Sequence, residues 1–327
     1  MKKQRILSGI QPTGRLHLGN LFGAVLNWRQ LQDVYESYFF IADLHALTTS
    51  YDDSKGLAGD VFHIMVDLMS AGLDPDRCTI FRQSAVPEHS ELHLMLSMIT
   101  PLPWLERVPT YKAKIKEMKE KDLGTYGFLG YPVLQAADIL MYKADYVPVG
   151  RDQLPHLELT RAIARRFNFF YGDVFPEPKE LLTEFPVLLG TDGRKMSKSY
   201  GNAIAISDTA EVIGKKVASM FTDPARVRRT DKGHPGKCPV FSYHKIFDQA
   251  KTAEIEAACK KAEIGCVDCK KMISKSLIQY LAPIHSKRSE LESKPDFVYD
   301  AMVQGASKAS VVAKETLTQV KKAIGLI

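Results

Sequence analysis

The sequence predicts an α/β protein, a Rossmann-like, doubly wound parallel sheet followed by a smaller helical domain. Three observations carry this. Short apolar runs alternate with helix-period stretches through the first half of the chain, the pattern of parallel strands joined by crossover helices. Glycine, lysine and serine crowd residues 190–202 and read as a mobile loop. Beyond Ser207 the periodicity is helical. The domains are therefore drawn as 1–190 and 191–327.

Each element has its own signal. Residues 5–9 are a short apolar run ending in glycine. Residues 38–43 are dense in aromatic and branched side chains, as strands buried on both faces are. Leu57, Val61, Ile64, Met65 and Leu68 recur at helical spacing, and residues 79–82 form the next strand. A helix-like stretch over 134–142 precedes a strand at 146–149, and a long helix is expected over 152–167. Asp208 and Glu211 stand at the spacing of a capping box. Residues 224–239 are polar, basic and rich in turn formers. An amphipathic helix is expected from Pro295 onward.

The bulk numbers narrow the classes. With 327 residues, 45% apolar and 25% charged, the chain has ordinary globular composition. No apolar run approaches the ~18 residues of a membrane span. The apolar stretch after the basic Met1-Lys2-Lys3-Gln4-Arg5 stops at Gln11-Pro12-Thr13-Gly14, too short for a signal-peptide core, so a cytoplasmic protein is expected. Lys+Arg exceed Asp+Glu by 44 − 38 = 6, which suits a polyanion such as RNA without requiring one. Cys78 stands alone and reads as an inert core thiol. Cys238, Cys259, Cys266 and Cys269 follow as C-x20-C-x6-C-x2-C, and in a reducing compartment such a set reads as metal-binding, zinc first from spacing alone.

Two segments carry the chemistry. Ser8-Gly9-Ile10-Gln11-Pro12-Thr13-Gly14-Arg15-Leu16-His17-Leu18-Gly19-Asn20 follows the first strand and opens a helix. It fits neither G-x-G-x-x-G nor the P-loop, because Arg15-Leu16 stands where Lys-Ser/Thr belongs. His17-Leu18-Gly19-Asn20 resembles the H-I-G-H element of class I aminoacyl-tRNA synthetases, with Asn20 in place of the last His. Gly19 would let a base approach the backbone, and His17 could donate to phosphate oxygens near the positive helix end. The second segment, Gly193-Arg194-Lys195-Met196-Ser197-Lys198-Ser199, contains the K-M-S-K-S element unaltered.

The resemblance extends along nearly the whole chain to the tryptophanyl-tRNA synthetases. Gly130-Tyr131-Pro132-Val133-Leu134-Gln135-Ala136-Ala137-Asp138-Ile139-Leu140 and Val147-Pro148-Val149-Gly150-Arg151-Asp152-Gln153 resemble the segments that read the amino acid in that family. The family is a ligase family: ATP activates tryptophan to the adenylate, and tryptophan then passes to tRNA(Trp). The resemblance implies ATP contacts from Gln11, Thr13, His17, Gly19, Asn20, Lys112, Lys114, Asp152, Lys195, Met196, Ser197 and Lys198, with Mg²⁺ brought by the phosphates. The tryptophan carboxylate is already ionised, so no general base is needed. His17, Lys195 and Lys198 would take up charge as pyrophosphate leaves.

For tryptophan the resemblance implies Asp138 as acceptor of the indole N–H, Tyr131 and Gln153 at the ammonium, and Val147, Val149, Gln135 and His45 around the ring. An indole N–H only donates, so a carboxylate is its natural partner. The plainer readings are an Asp138 that caps or ion-pairs within its helix, a structural His45, and Lys112 and Lys114 on an exposed basic helix edge. Arg151 replaces an acidic residue and Gln135 a methionine of the family pattern. A bacterial subgroup of the family carries a [4Fe–4S] cluster on a similar cysteine set, whose first gap is slightly longer than the twenty residues here. That resemblance moves the cluster ahead of Zn²⁺ and places basic residues such as Arg226 and Lys270 beside the tRNA anticodon. It also implies a homodimer. The rivals are a tyrosyl-tRNA synthetase, a non-catalytic derivative, and a nucleotidyltransferase without tRNA.

Overall fold

The computed structural model describes residues 3–118, 120–182, 188–198 and 200–327. Ser199, last of the K-M-S-K-S run, lies outside the described residues. In chain order the elements are β1 (Arg5–Ile10), α1 (Leu18–Asn20), a π-helical turn (Leu21–Val25), α2 (Leu26–Val34), β2 (Glu36–Ile41), α3 (Asp43–Ser50), α4 (Leu57–Ser70) and β3 (Thr79–Arg82). Next come α5 (Glu88–Ser97), α6 (Leu102–Glu106), α7 (Pro109–Glu117), α8 (Tyr126–Met141), β4 (Tyr146–Val149), α9 (Leu154–Tyr171) and β5 (Lys179–Leu182). The remainder is helical: α10 (Ala210–Ala218), α11 (Pro239–Phe247), α12 (Thr252–Lys260), α13 (Cys266–Glu292) and α14 (Pro295–Ala323).

The chain forms two compact units. One comprises Met1–Gly14, Asn27–Glu184 and Lys294–Ile327; the other comprises Arg15–Leu26 and Phe185–Ser293. The first holds a five-stranded parallel sheet in the order β3-β2-β1-β4-β5. Gly9 pairs with Phe40, Phe40 with Phe81, and Tyr146 with both Ile6 and Lys179. The order reverses between β1 and β4, so the connections leaving those two strands part to opposite faces. In open α/β sheets ligands bind in the crevice that this reversal opens at the strands' carboxyl ends. Gln11 and Thr13 follow β1 there, and Gly150–Gln153 follow β4.

Four strands match the sequence reading. β5 was not anticipated, because Lys-Glu-Leu-Leu on an edge strand is largely exposed and carries no apolar signal. α8 begins eight residues before the expected 134, at Tyr126, where Thr125 caps it by accepting from the Phe128 N–H at 3.2 Å. The expected capping box at Asp208 and Glu211 is not formed. Thr209 is the N-cap of α10, and Asp208 instead accepts from the Ala205 N–H at 2.8 Å and pairs with Lys216 at 2.6 Å.

α14 forms as its periodicity predicts, but it packs in the first unit, against β3. The sequence reading grouped it with residues 191–327. Its buried face, Val298, Ala301, Met302, Gly305, Ala306, Ala309, Ala313 and Leu317, is mostly small. Gly305 sits so close that a Cβ there would lie 1.8 Å from the Ile80 carbonyl oxygen. No described helix is long and apolar enough to cross a membrane.

Candidate active site

In the sheet unit, Asp138 lies on α8 with no exposed surface. His45 Nε2 meets its Oδ2 at 2.8 Å; Gln83 Nε2 donates to Oδ1 at 2.8 Å, and His89 Nδ1 meets Oδ1 at 2.6 Å. His89 Nε2 in turn lies 2.8 Å from the Tyr142 hydroxyl. Burial alone would push the Asp138 carboxyl up. The hydrogen bonds from His45 and His89 outweigh it and hold the group below its ordinary value. Both oxygens are thus engaged, and Oδ2, with one partner among the described residues, keeps a second lone pair. Sequence spacing gave no hint of Gln83 and His89, which come from the end of β3 and from α5.

A second cluster in this unit joins Tyr131, Thr110 and His156. The Tyr131 hydroxyl is 2.6 Å from Thr110 Oγ1 and 3.1 Å from His156 Nε2, and Thr110 Oγ1 is 2.9 Å from the same nitrogen. Lys114 Nζ lies 5.9 Å from the centroid of the Tyr131 ring, within cation–π range. Burial, with Lys114 adding to it, lowers His156 to about 4, so its imidazole is neutral at pH 7. Gln153 donates to Asp152 Oδ2 at 3.3 Å. Tyr131 and Gln153, expected on one ammonium group, therefore have separate partners. Val147 is buried in the core, Val149 packs against that core half-buried, and Gln135 is half-buried on α8. Lys112 and Thr13 are exposed and Gln11 half-buried.

In the second unit, His17-Leu18-Gly19-Asn20 closes on itself. His17 is the N-cap of α1: its Nδ1 accepts from the Asn20 N–H at 3.1 Å, and Asn20 Oδ1 accepts from the His17 N–H at 3.3 Å. Asn20, the departure from H-x-G-H, thus completes a capping box in which His17 takes the hydroxyl residue's place. Burial, and then the charge of Lys198, lowers His17 to about 4. The ring is neutral at pH 7, and because Nδ1 accepts, the proton sits on Nε2, ready to donate. A Cβ on Gly19 would lie 2.9 Å from the His17 ring and 3.4 Å from Met196 Cβ. The Gly19 N–H reaches Met196 Sδ at 3.4 Å, so the buried methionine of the lysine loop packs on the turn.

The loop itself is pinned by Asn202, a residue the sequence reading passed over. Asn202 is buried; its Oδ1 accepts from the Ser197 N–H at 2.8 Å, and its Nδ2 donates to Asp192 Oδ1 at 2.8 Å and to the Lys195 carbonyl at 3.1 Å. Asp192, bonded to Asn202 and Arg194, is held down at about 2. Lys195 extends to the exposed side and Lys198 is half-buried. The described part of the loop thus has an internal frame, and Leu189 and Lys195 form an isolated antiparallel bridge across it.

A family model described as class I tRNA synthetases (W and Y) matches residues 1–282. The chain belongs to this synthetase family. A tryptophan–tRNA ligase of Thermotoga maritima is 50% identical over 99% of this chain and 99% of its own length. One from Aquifex aeolicus is 44% identical, covering 98% of this chain and all of the relative. The crystal structure of a tryptophanyl-tRNA synthetase from Campylobacter jejuni, in complex with ADP and tryptophan, superimposes with a TM-score of 0.90 at 34% identity, covering 98% of this chain and 100% of that one. This chain is accordingly an aminoacyl-tRNA ligase with the ATP dependence of its family.

The synthetase has one further cluster in its second unit. Cys238, Cys259, Cys266 and Cys269 line one pocket together with Arg226 and Asp223. None is in a disulfide. His244 Nε2 is 3.2 Å from Cys269 Sγ, and Arg226 Nη1 is 3.8 Å from Cys259 Sγ. Burial, and then the neighbouring thiols, push Cys269 up to about 12. Among the described residues no three His, Cys, Asp or Glu side chains stand close enough to hold a single metal ion. Cys78 lies apart, buried, its thiol pushed up to about 12 by desolvation.

Proposed function

We propose that this synthetase is a tryptophan–tRNA ligase. It joins tryptophan to ATP as tryptophanyl-adenylate, releasing pyrophosphate, and then transfers tryptophan to the 3′ end of tRNA(Trp). The observation that carries the reading is the junction of the two signature segments, with Met196 seated on Gly19 and Lys198 close enough to depress His17. Such a junction gathers a neutral Nε2–H donor and a cation at one turn, where triphosphate charge must be stabilised. The full-length relatives named as tryptophan–tRNA ligases supply the amino acid.

The carboxylate of tryptophan attacks the α-phosphorus, and Lys195, Lys198 and His17 take up charge on the leaving pyrophosphate. Lys112, Lys114, Gln11 and Thr13 serve the same nucleotide, whose Mg²⁺ is held mainly by phosphate oxygens. The second lone pair of Asp138 Oδ2 accepts the indole N–H, and His45 fixes that oxygen. Tyr131 and Gln153 bind the ammonium, with Val147, Val149 and Gln135 about the ring. The setting is the cytosol, where ATP and tRNA are.

The cysteine set fits one [4Fe–4S] cluster. Four undisulfided thiols around one pocket match the four corners of a cubane, and one observation favours an anionic occupant. Arg226 Nε is buried without a hydrogen-bond partner among the described residues. Bound there, a cluster would cross-link the segments that carry the cysteines and supply a one-electron couple. A Cys₄ zinc site is the alternative. The synthetase is also read as a homodimer. Leu94, Met98, Leu102 and Phe169 are 55%, 74%, 58% and 83% exposed, and Arg166 bridges the Trp104 and Phe170 rings between the elements that bear them.

Charging assays test the whole reading. Radiolabelled tryptophan should load onto a tRNA(Trp) transcript and not onto tRNA(Tyr), and sedimentation should give roughly twice the 36.6 kDa chain mass. Loading of tyrosine onto tRNA(Tyr) would replace the tryptophan assignment.

A further inference from the structure

Arg226 is an unusual surrounding for a thiol set. It is 9% exposed, although a guanidinium is strongly hydrated when free. Its Nη2 donates to two backbone carbonyls, Arg229 at 2.9 Å and Ile264 at 2.8 Å. Those bonds hold the group rigidly in the pocket wall while Nη1 faces Cys259 Sγ at 3.8 Å and Nε has no partner among the described residues. Gly233, whose N–H donates to the Cys259 carbonyl at 3.0 Å, fits against Cys259 with no room for a Cβ, and that same Cβ would lie 3.5 Å from Arg226 Cδ. Cys259 and Arg226 are therefore locked to one another from both sides.

A buried cation loses hydration that charge or hydrogen bonds must offset. Asp223, the acidic residue on the same pocket, is already bonded to the His234 N–H and His234 Nδ1, both at 2.8 Å, and to the Ala225 N–H at 3.0 Å. It is committed to shaping the loop rather than to Arg226. A four-thiolate cluster has a net negative charge, and that charge grows by one on reduction. Hydrogen bonds to cluster sulfurs and the net charge nearby are among the levers that set the reduction potential.

We propose that Arg226 is the charge partner of the cysteine-bound cluster, fixing its potential by holding a guanidinium against the Cys259 sulfur. This rests on the cluster reading above. The sign follows from Coulomb's law: the reduced cluster carries more negative charge, so Arg226 favours it and raises the potential. His244, whose Nε2 lies 3.2 Å from Cys269 Sγ, is a second sulfur-facing group. Arg228, exposed and on the same loop, has the same charge without the contact.

The test is an electrochemical titration of the anaerobically purified full chain, with iron and sulfide content, absorbance near ~400 nm and the reduced-cluster resonance as readouts. Arg226→Gln should keep about four irons and shift reduction about tenfold toward the oxidised form, about 59 mV for one electron. Arg226→Lys should recover most of that shift, and Arg228→Gln should show none. Should Arg226→Gln fail to hold iron, the lysine variant decides: four irons at close to the wild-type potential support the role of charge, and no iron refutes it. A wild-type chain with four irons, whose potential Arg226→Gln leaves in place, overturns this inference alone. A wild-type chain without iron, or with one zinc, overturns the cluster reading and this inference with it.

Discussion

Asp138 accepts from His45, Gln83 and His89, so its replacement should act on folding and, in its proposed role, on selectivity as well. Asp138→Asn keeps the shape but turns one acceptor into a donor, leaving buried partners unpaired. It should cost about 1–3 kcal/mol of stability by denaturant titration and weaken the preference for tryptophan over phenylalanine. Selectivity kept with stability lost would make Asp138 a packing residue only. The pH dependence has a definite sign. The folded pKa lies below the ordinary 3.8, so the unfolded chain holds this proton more tightly. The wild-type advantage should be whole above about pH 4 and should fade as acid takes the pH through the lower folded value. The candidates in contiguous motifs, such as His17, Lys195, Lys198 and Asp138, could be named from the sequence. Gln83, His89, His156 and Asn202 could not, because each acts only through a partner that folding brings to it. Asn202 alone left a trace, a lone amide following the lysine motif in a glycine-rich stretch.

The proposed function places the lysine loop and its turn at the chemical step. Lys198→Ala should lower the rate of adenylate formation by about 10²–10³ with tryptophan affinity unchanged, as when a transition-state contact is lost. Asn202→Ala removes the frame instead of the charge. It should lower the same rate by about 10–10², through misplacement of groups that remain present. Single-turnover measurements separate these from a fault in binding; a loss confined to tryptophan KM would contradict both. Elements were readable where apolar period was strong, as in β2, α4 and α14. β5 was hidden by its charged edge, and the start of α10 by Thr209, which caps the helix one residue past the acidic candidate. Within the buried face of α14, one approach to β3 is especially close. Gly305→Ala would put a methyl into the Ile80 carbonyl and should destabilise by at least the roughly 1–3 kcal/mol of an overpacked core, seen as a lower thermal midpoint. An unchanged midpoint would mean that α14 is not seated on β3 as described.

Across the molecule, the parallel run of the strands follows from strands and helices alternating in the first half, while the order β3-β2-β1-β4-β5 emerges only in the fold. The partition into units was less legible. Arg15–Leu26 groups with the later residues because Leu16 and Leu18 pair by backbone with Ile206 and Ile204, a long-range match with no local signal. The signature turn and the lysine loop thus belong to one unit, and the Asp138 network to the other. In the proposed function both serve one reaction, and amino-acid-dependent exchange of pyrophosphate into ATP reports that reaction without tRNA. Run with each of the twenty amino acids on the wild-type chain, it should show exchange with tryptophan and only background with tyrosine and phenylalanine. Exchange driven by tyrosine, or by no amino acid at all, would contradict the assignment.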